Sequence, residues 1–350
     1  MTAALARHLS GHGYEVLVVT NRHPLELSSE AVVDGINVHR IAFPAPKWSP
    51  RGVVSYARQR REVTETLKRL PPPELIHVHC ISSQTPSLLS FARQRHIPVI
   101  VSTHGETEMD ATAIYQRSRW MRHVLRSATQ HACALTACSQ WTAERAAAIA
   151  PAFAHATVIP NGIDSRQWDV GLPPDAPVIG AWGRHVPQKG FDTLLRAFAR
   201  LRDNHPSAKL LLGGDGPERP ALERLAGDGV AFLGQLDRVG VKLLLSQVKV
   251  VAVPSRVEPF GIVAVEALAA GRALVCSNVG GLDEATGGTG VTVPAEDVVA
   301  WEAALGAALT APIDTRAARH RAAQLDWDRV FGSWDALYRQ AVCSSSSQAR

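Results

Sequence analysis

The amino-acid sequence predicts an α/β protein with two doubly wound domains. The chain has 350 residues, which is more than one hydrophobic core usually supports. Short β-rich apolar runs alternate with longer helical patterns, as they do in parallel βαβ units. A segment rich in Pro and Gly, residues 160–177, separates two sets of such units and is predicted to be a loop and linker.

The predicted strands form one group on each side of this linker. Those of the first half are residues 15–20, 38–41, 75–78, 99–102, 134–137 and 157–159. Those of the second half are residues 178–182, 209–212, 230–233, 250–253, 273–276 and 290–293. Because residues 2–10 are predicted to form a helix that leads into the first of these strands, we expect the first half to lack the central first strand of a doubly wound sheet and the Gly-rich loop after it.

Composition restricts the class of protein. Hydrophobic residues make up 46% of the chain and charged residues 20%, which is typical of a globular protein. No apolar run approaches the roughly 18 residues that span a bilayer, and the N-terminus lacks a basic segment followed by an apolar core. The five cysteines are scattered without CxxC spacing, which argues against a disulfide framework and a zinc site. We therefore predict a cytoplasmic protein with free thiols.

The net positive charge of the chain lies in its first half. Residues 1–170 contain 18 Lys and Arg against 13 Asp and Glu, whereas residues 171–350 contain 19 of each kind. Two segments concentrate this charge, and their basic residues are Arg51, Arg58, Arg60, Arg61, Lys68 and Arg69 in the first and Arg117, Arg119, Arg122 and Arg126 in the second. Such clusters attract anionic lipid headgroups or an acidic ligand. The alternative is a solvated helix face, because acidic residues dilute the first cluster. Each segment has only one aromatic residue among its basic residues, Tyr56 in the first and Trp120 in the second. That is fewer than a stacking platform for nucleic acid requires, which argues against a nucleic-acid partner.

The segment VEPFGIVAVEALAAG, residues 257–271, carries the strongest chemical signal. Its Pro and first Gly predict a turn, and the apolar run after them predicts a helix that ends at Gly271. The amides of Gly261, Ile262 and Val263 would face an anion at the start of this helix, as a diphosphate site requires. Glu266 on the helix can accept hydrogen bonds from a ribose diol, and Glu258 ahead of the turn can reach a second polyol. The alternative is an ordinary amphipathic helix with Glu266 on its solvated face.

Two further turns accompany this segment. After the predicted strand at 178–182 come Gly183 and Arg184, and then Lys189 ahead of a helix. Two cations at the carboxyl end of a strand can neutralise a diphosphate leaving group. After the strand at 209–212 runs a Gly-rich turn that includes Gly214, where the backbone can approach a ligand closely. The turn is not a dinucleotide fingerprint, because the GxGxxG spacing fails at Arg219.

The sequence as a whole resembles the GT-B retaining glycosyltransferases of the large family 4. The resemblance covers nearly the whole chain and includes several segments besides the two-glutamate motif. These are HVHC (77–80), STHGE (102–106), ACSQWTAE (137–144), IPNGID (159–164), GRHVPQKG (183–190), GGDGP (213–217), FLGQLD (232–237) and SNVGGLDE (277–284). The terminal LDWDRVFGSWDALYR resembles the family's helix that crosses back onto the first domain. The resemblance therefore implies the GT-B architecture, with two Rossmann-like domains facing a cleft.

The resemblance implies a role for each matching residue. Residues 1–168, with 328–350 packing back on them, would form the acceptor domain, and residues 169–327 the donor domain. Arg184 and Lys189 would contact the diphosphate of a nucleotide sugar and Glu266 the ribose. Glu258, with the amides of Phe260, Gly261 and Ile262, would hold the transferred sugar. The turn at Gln235 and Leu236 would border the nucleobase, and Gly183, Gly214 and Val263 would complete the donor site.

His104, at the end of the predicted strand at 99–102, would approach the reacting sugar from the first domain. The alternative is a structural hydrogen-bonding role, which is common for a histidine at a strand end. His77 and His79 are expected to support the wall of the cleft. The four residues expected to take part in the reaction are thus His104, Arg184, Lys189 and Glu258.

The implied reaction is transfer of a hexosyl unit with retention of anomeric configuration, without a metal or a cofactor. The carboxylates of Asp326 and Asp328 resemble a metal-binding pair, but they precede a predicted helix, where an Asp N-cap is expected.

A UDP-sugar is the first donor expected and GDP-mannose the second. The acceptor would be a glycan, a lipid-linked glycan or a small molecule, as in polysaccharide biosynthesis, with peripheral membrane contact through the basic first half. The alternatives are a sugar-nucleotide epimerase of the same fold and a non-catalytic sugar-nucleotide-binding subunit.

Overall fold

The computed structural model describes residues 2–43, 50–110 and 113–348, and within them the side chains of Pro50, Arg51, Val53 and residues 344–348 are outside the description. Arg51, one of the predicted basic residues, therefore has no described side chain. The chain forms two compact units. The first consists of Met1–Cys138, Ala143–Ile159 and Phe331–Arg350, and the second of Ser139–Thr142 and Pro160–Val330.

The first unit contains most of the elements up to residue 159. Its helices are α1 (Thr2–Gly11), α2 (Pro50–Arg69), α3 (Thr85–Gln94), α4 (Glu106–Met109), α5 (Ile114–Arg117) and α6 (Arg119–His131), and the part of α7 (Gln140–Ala147) from Ala143 onward also belongs to it. Its strands are β1 (Leu17–Asn21), β2 (Glu30–Val33), β3 (Ile36–Ile41), β4 (Ile76–His79), β5 (Val99–Thr103), β6 (Ala134–Ala137) and β7 (Thr157–Val158).

These strands form two sheets. One has the order β1-β3-β2, in which β1 and β3 are parallel and β2 is antiparallel to β3. The other has the order β4-β5-β6-β7 and is parallel. In the described residues β1 and β4 do not pair with each other. Strand β5 is buried along its whole length, as expected for the interior of a parallel sheet.

The second unit is a doubly wound domain, and its elements follow in alternation. Its strands are β8 (Val178–Trp182), β9 (Lys209–Gly213), β10 (Val230–Gly234), β11 (Val250–Val253), β12 (Ala273–Ser277) and β13 (Val291–Val293). Its helices are α8 (Phe191–Asn204), α9 (Arg219–Leu225), α10 (Arg238–Gln247), α11 (Ile262–Ala269), α12 (Leu282–Thr286), α13 (Val298–Thr310) and α14 (Thr315–Gln324). Helix α15 (Trp327–Gln348) begins in this unit, and from Phe331 onward it belongs to the first.

The sheet of the second unit creates a binding position by its strand order. All its strands are parallel, in the order β10-β9-β8-β11-β12-β13. The order reverses at β8, because β9 continues on one side of it and β11 pairs on the other. In open α/β sheets the crevice at such a switch point, outside the carboxyl ends of the strands, is where ligands bind. The turns after β8 and β11 therefore border this crevice.

The helices that cover this sheet follow from their apolar spacing. On α8 the large buried apolar residues recur every three or four positions, as on one face of a helix, and they are Phe191, Leu194, Leu195, Phe198 and Leu201. They pack with the buried strands and with Trp301, which is fully buried on α13. Strand β11 is buried along its whole length. This packed core holds the carboxyl ends of β8 and β11 in fixed positions, and therefore also the start of the turns that follow them.

Residues 160–168, which the sequence analysis assigns to the first domain, are held in the second unit. Ile163 forms a parallel bridge with Asp326. Oδ2 of Asp326 accepts hydrogen bonds from the amide of Ser165 at 3.0 Å and from its hydroxyl at 2.5 Å. Oδ1 of Asp326 accepts one from the amide of Asp328 at 3.2 Å, at the start of α15. These contacts engage Asp326 as a cap, as its position before a helix predicts.

None of the helices in the described part of the chain is long and apolar enough to cross a membrane.

Candidate active site

The turns after β8 and β11 in the second unit meet through an ion pair. Lys189 Nζ lies 2.6 Å from Glu258 Oε2, and the hydroxyl of Ser255 donates to the same oxygen at 3.1 Å. The residue Glu258 is only 8% exposed. A carboxylate this buried requires both a counter-charge and hydrogen bonds, and Lys189 and Ser255 supply them.

Arg256 holds the Lys189 turn against the turn after β11. Its guanidinium donates two hydrogen bonds to the Asp192 carboxylate, at 2.8 and 3.0 Å, and one to the carbonyl of Pro187 at 2.8 Å. Its Nε donates to Glu296 at 2.8 Å, and its backbone amide donates to the carbonyl of Gln188 at 2.7 Å. The two acidic partners raise the pKa of Arg256 further above its usual range. Such a bidentate clamp fixes geometry as well as charge, so Lys189 is presented from a rigid turn.

Gly261 is the N-cap residue immediately before α11, and its φ of +102° lies in the left-handed region. A side chain there would be strained, and a Cβ would lie 2.5 Å from Leu282. Among the described residues the amides of Gly261, Ile262 and Val263 have no backbone or side-chain acceptor, as expected for the first turn of a helix. This leaves a group of amide donors beside the Lys189–Glu258 pair, and an anion at this helix start would satisfy them.

The turn that precedes α12 packs directly on the backbone of Glu258. The amide of Gly281 donates to the Glu258 carbonyl at 2.9 Å. Gly280 has a φ of +62°, and a Cβ added there would lie 2.0 Å from the same carbonyl oxygen. This close approach is possible only for glycine. It holds the backbone of Glu258 in place while Lys189 and Ser255 hold its side chain.

Glu266 lies on α11 and is partly accessible to solvent. Burial raises its pKa to about 7, and a hydrogen bond from the Trp182 side chain and the charge of Arg238 act in the opposite direction. No basic side chain forms an ion pair with Glu266 in the described residues. A carboxyl group in such a recess, with acceptor capacity to spare, suits a neutral ligand with hydroxyl groups.

The turns after β8 and β9 approach each other closely at two glycines. Gly214 has a φ of +114°, and a Cβ there would lie 1.9 Å from the carbonyl oxygen of Gly183. Arg184 comes directly after Gly183. Its side chain is exposed and forms no hydrogen bond or ion pair among the described residues. Its guanidinium is therefore available to a ligand at this edge of the sheet.

Leu236 borders an open cavity of about 420 Å³ that Gln235, Asp237 and Gly240 also line. The cavity lies at the start of α10, where the Asp237 carboxylate caps the helix by accepting from the amide of Gly240 at 2.8 Å. A Cβ at Gly213 would lie 2.4 Å from the Leu236 side chain. Leu236 thus packs against the end of β9 and lines this cavity; its role beside a nucleobase stays a prediction.

His104 lies in the first unit, immediately after β5, in a group of three histidines. Its Nε2 is 3.0 Å from Nδ1 of His79, and the two rings stack with centroids 5.3 Å apart. Glu106 fixes the backbone here, because its Oε2 accepts from the His104 amide at 2.8 Å and from the Thr103 hydroxyl at 3.0 Å. Burial lowers the pKa of His104 to about 4 and that of His79 to about 3. At neutral pH His104 is therefore an uncharged hydrogen-bonding group.

His77 connects this histidine group to other side chains of the first unit. Its Nε2 lies 2.5 Å from the hydroxyl of Ser102, and its Nδ1 lies 2.8 Å from the hydroxyl of Tyr338 on α15. Its ring packs on Trp334 with centroids 5.0 Å apart, and burial lowers its pKa well below the usual value. These contacts give His77 a structural role in the first unit.

The predicted site residues thus fall into two sets, one in each unit. Lys189 and Glu258 make direct contact, and the α11 amides adjoin them. Sequence reasoning missed the residues that position this set, which are Ser255, Arg256 and Trp182. It also missed the role of Glu106, whose carboxylate accepts from the His104 amide and the Thr103 hydroxyl.

Comparisons with known proteins assign the chain to a family. The family model for glycosyltransferase family 4 matches residues 1–167, and the model for glycosyl transferases group 1 matches residues 176–311. Glycogen synthase from Mycobacterium tuberculosis is 30% identical over 384 aligned positions, which cover 98% of this chain and 88% of that protein. The chain belongs to glycosyltransferase family 4.

Solved structures agree with this glycosyltransferase in fold. Sucrose-phosphate synthase from Thermosynechococcus elongatus has a TM-score of 0.80 at 24% identity and matches over 98% of this chain and 93% of its own. HepE from Anabaena, solved in complex with UDP and glucose, has a TM-score of 0.68 at 20% identity and matches over 87% of this chain and 86% of its own. The glycosyltransferase therefore has the GT-B fold, as predicted, and transfers a sugar from a nucleotide sugar.

In this glycosyltransferase the group 1 match contains the Lys189–Glu258 pair, α11 and the Leu236 cavity. The family 4 match contains the three histidines. Among the described residues no cluster of His, Cys, Asp and Glu has the arrangement of a metal site.

Proposed function

We propose that this glycosyltransferase moves a hexosyl unit from a nucleoside diphosphate sugar to an acceptor hydroxyl with retention of anomeric configuration. The observation that carries the proposal is the arrangement at the start of α11, where the ion pair of Lys189 and Glu258 adjoins amides without an acceptor. Such a set of donors and acceptors suits a ligand that carries an anionic group next to a polyol.

The donor would extend along the switch point of the second unit. The amides of Phe260, Gly261, Ile262 and Val263 and the cations of Lys189 and Arg184 would surround its diphosphate. Glu258 would accept from hydroxyl groups of the transferred sugar, and Glu266 from the ribose diol. The backbone of Gly183 and Gly214 would lie against the donor, and the base would enter the cavity beside Leu236. The solved complex of HepE with UDP and glucose favours UDP as the nucleotide, with GDP-mannose the second choice.

The reaction needs little covalent chemistry from the protein. The bond between the anomeric carbon and the β-phosphate oxygen breaks, and its electron pair goes to the diphosphate. The acceptor hydroxyl attacks the same face of the sugar, and its proton passes to the leaving diphosphate oxygen. Lys189, Arg184 and the α11 amides would stabilise the charge that develops on that oxygen. Glu258 is already bonded to Lys189 and Ser255, so we assign it to holding the sugar rather than to attacking it.

His104 would act on the transferred sugar as a neutral hydrogen-bonding group. Its low pKa makes it unsuited to act as a cation at neutral pH. A hydrogen bond to a sugar hydroxyl that strengthens as positive charge develops on the ring would raise kcat rather than lower KM. The acceptor would be a glycan, a lipid-linked glycan or a small molecule, and the basic first unit allows peripheral membrane contact. No bound cofactor enters this proposal.

The test is an NMR assay of the full chain with UDP-glucose or GDP-mannose and a panel of glycan and sugar acceptors. We expect nucleoside diphosphate release that depends on the acceptor, with the anomeric configuration of the donor kept in the product. An inverted linkage would contradict the proposed mechanism. Conversion of the nucleotide sugar to its epimer with no acceptor present would instead show an isomerase.

A further inference from the structure

A second cavity, in the first unit, lies outside the proposed donor site. It has a volume of about 410 Å³ and opens at the carboxyl ends of β1 and β3, against the first half of α2. The end of β1 contributes Asn21, Arg22 and His23, and α2 contributes Arg58, Gln59 and Glu62. The carboxyl ends of parallel strands are where α/β sheets bind ligands, so the position suits a binding site.

The cations of this cavity are available to an anion. Nε of Arg22 donates to the carbonyl of Leu27 at 2.6 Å, which holds the side chain while its two terminal nitrogens have no partner among the described residues. Arg58 is exposed and likewise has neither an ion pair nor a hydrogen bond in that part of the chain. Two guanidinium groups facing one cavity match the geometry of a phosphate better than that of a neutral sugar.

Polar groups beside the arginines suit the rest of a hydroxylated molecule. The side-chain oxygen of Asn21 accepts from the amide of Phe43 at 3.1 Å, which leaves its amide nitrogen as a donor. Glu62 lines the same cavity and makes no ion pair among the described residues, so its carboxylate can accept from hydroxyl groups. The cavity therefore offers cations for an anionic group and polar groups for a polyol.

Helix α2 connects this cavity with the histidine group of the same unit. The hydroxyl of Tyr56, on the segment of α2 that lines the cavity, donates to the carbonyl of Ser83 at 3.2 Å. Ser83 lies in the loop after β4, and the last residue of β4 is His79, which contacts His104. Tyr56 of α2 thus contacts the loop that follows His79 at the carboxyl end of β4.

We propose that this cavity binds a phosphate group carried by the acceptor. The inference rests on the proposed function, because it gives the acceptor of that reaction a chemical class. The phosphate belongs either to a soluble sugar phosphate or to a membrane lipid. Two exposed apolar side chains favour a lipid as the source of the phosphate. Leu25 at the cavity is 61% exposed, and Val54, one helical turn before Arg58, is 70% exposed. Exposed apolar residues beside arginines suit an interface with anionic lipid.

The experiment compares binding of phosphorylated and unphosphorylated acceptors to the full chain. UDP, GDP and ADP are present in excess, so that the donor site is occupied. The soluble probes are glucose 6-phosphate, fructose 6-phosphate and inositol 1-phosphate, each against its unphosphorylated form, measured by calorimetry. The lipid probe is sedimentation with phosphatidylcholine vesicles that contain phosphatidylinositol. The variant is Arg58→Gln, and the matched control is Arg61→Gln, which changes an exposed arginine of the same helix that does not line the cavity.

We expect at least one phosphorylated probe to bind, its unphosphorylated form to bind at least about 10-fold more weakly, and Arg58→Gln to weaken binding by about 10-fold or more. Arg61→Gln should leave binding unchanged. Vesicle binding that depends on Arg58, without binding of the soluble probes, would assign the phosphate to a lipid. Absence of binding by every probe, or equal binding by both variants and the unchanged chain, would overturn the inference. Binding of UDP, GDP or ADP by the Arg58→Gln variant distinguishes failure of the phosphate proposal from failure of the proposed function. The variant should still bind a nucleotide even if the cavity binds no phosphate.

Discussion

At the scale of single residues, Lys189 and Glu258 define the proposed donor site. The sequence motif predicted that both residues serve the donor, but not that they contact each other. That contact depends on Ser255, three residues before Glu258, on Arg256, which bonds the Lys189 turn, and on the Gly280 turn. The contacts of Arg256 with the Lys189 turn and of Gly280 with Glu258 join separate turns and leave no periodic signal, so the sequence pattern did not predict them.

The first prediction concerns this pair. Lys189→Met should lower the free energy of unfolding by about 3 kcal/mol, because it leaves the Glu258 carboxylate buried without its counter-charge. It should also abolish most transfer activity. The double variant Lys189→Met/Glu258→Gln should regain much of the lost stability, since no buried charge remains, while activity stays low. Urea unfolding and initial-rate kinetics measure the two effects. A double variant as unstable as the single one would refute the electrostatic explanation.

The second prediction concerns Glu266. Its pKa of about 7 in the folded chain lies above the 4.5 of an ordinary glutamate. The unfolded chain therefore loses this proton first, so the folded state loses stability as pH rises from about 4.5 to about 7, and the cost persists above pH 7. At pH 8 Glu266→Gln should stabilise the nucleotide-free chain by up to about 3 kcal/mol. The gain should vanish near pH 4. A glutamine variant less stable than the original at pH 8 would contradict a carboxylate destabilised by burial.

At the scale of elements, most strands were predictable and one hairpin was not. The strand β2 was missed, although Asp34 and Gly35 between β2 and β3 both have positive φ and an Asp-Gly pair is a strong hairpin signal. The buried strands β5, β8 and β11 were predicted because their apolar runs are continuous. The division of the first unit's strands into two sheets depends on which edges pair, and strand patterns alone do not encode pairing.

The third prediction concerns the turn before α12. Gly280→Ala should lower the free energy of unfolding by about 3 kcal/mol, because the added Cβ meets the Glu258 carbonyl in a strained conformation. Gly288→Ala is a matched control, since Gly288 has a φ of +76° and nothing within 4 Å of an added Cβ. It should cost only about 1 kcal/mol, the conformational strain alone. Urea unfolding of both variants tests this, and equal losses would show that the close approach is unimportant.

The fourth prediction concerns the histidine group. His79 and His104 have folded pKa values of about 3 and about 4, below the ordinary 6.5. The unfolded chain therefore binds these protons first as pH falls, so stability is lost below about pH 6.5, by roughly 1.4 kcal/mol per pH unit for each histidine. His79→Asn should make this slope shallower between pH 6.5 and 4. His155→Asn, at an exposed position of the same unit, should not. An unchanged slope in His79→Asn would contradict the burial effect.

At the scale of the whole molecule, the sequence predicted two domains and the family, and the structure and comparisons confirm the fold. The proposed division of chemistry between the two halves rests on the sequence, because the motifs assigned to the donor lie in the second half and the excess positive charge lies in the first. The identity of the acceptor did not follow from it. The cavity beside Arg58, which we propose as the acceptor's phosphate site, is built from the ends of β1 and β3 together with a helix, and a sequence alone does not give the shape of such a cavity.

The fifth prediction tests the central claim that the second unit binds a nucleotide at the start of α11. The measurement is calorimetric titration of the full chain with UDP, GDP and ADP, repeated with Glu266→Ala. The control is Asp228→Ala, which changes an exposed carboxylate just ahead of β10, at the opposite end of a strand from the proposed site. We expect one nucleotide to bind, Glu266→Ala to weaken it by roughly 10- to 100-fold through loss of the ribose hydrogen bonds, and Asp228→Ala to leave it unchanged. Binding that is equal in all three proteins, or absent from the folded chain, would contradict the claim.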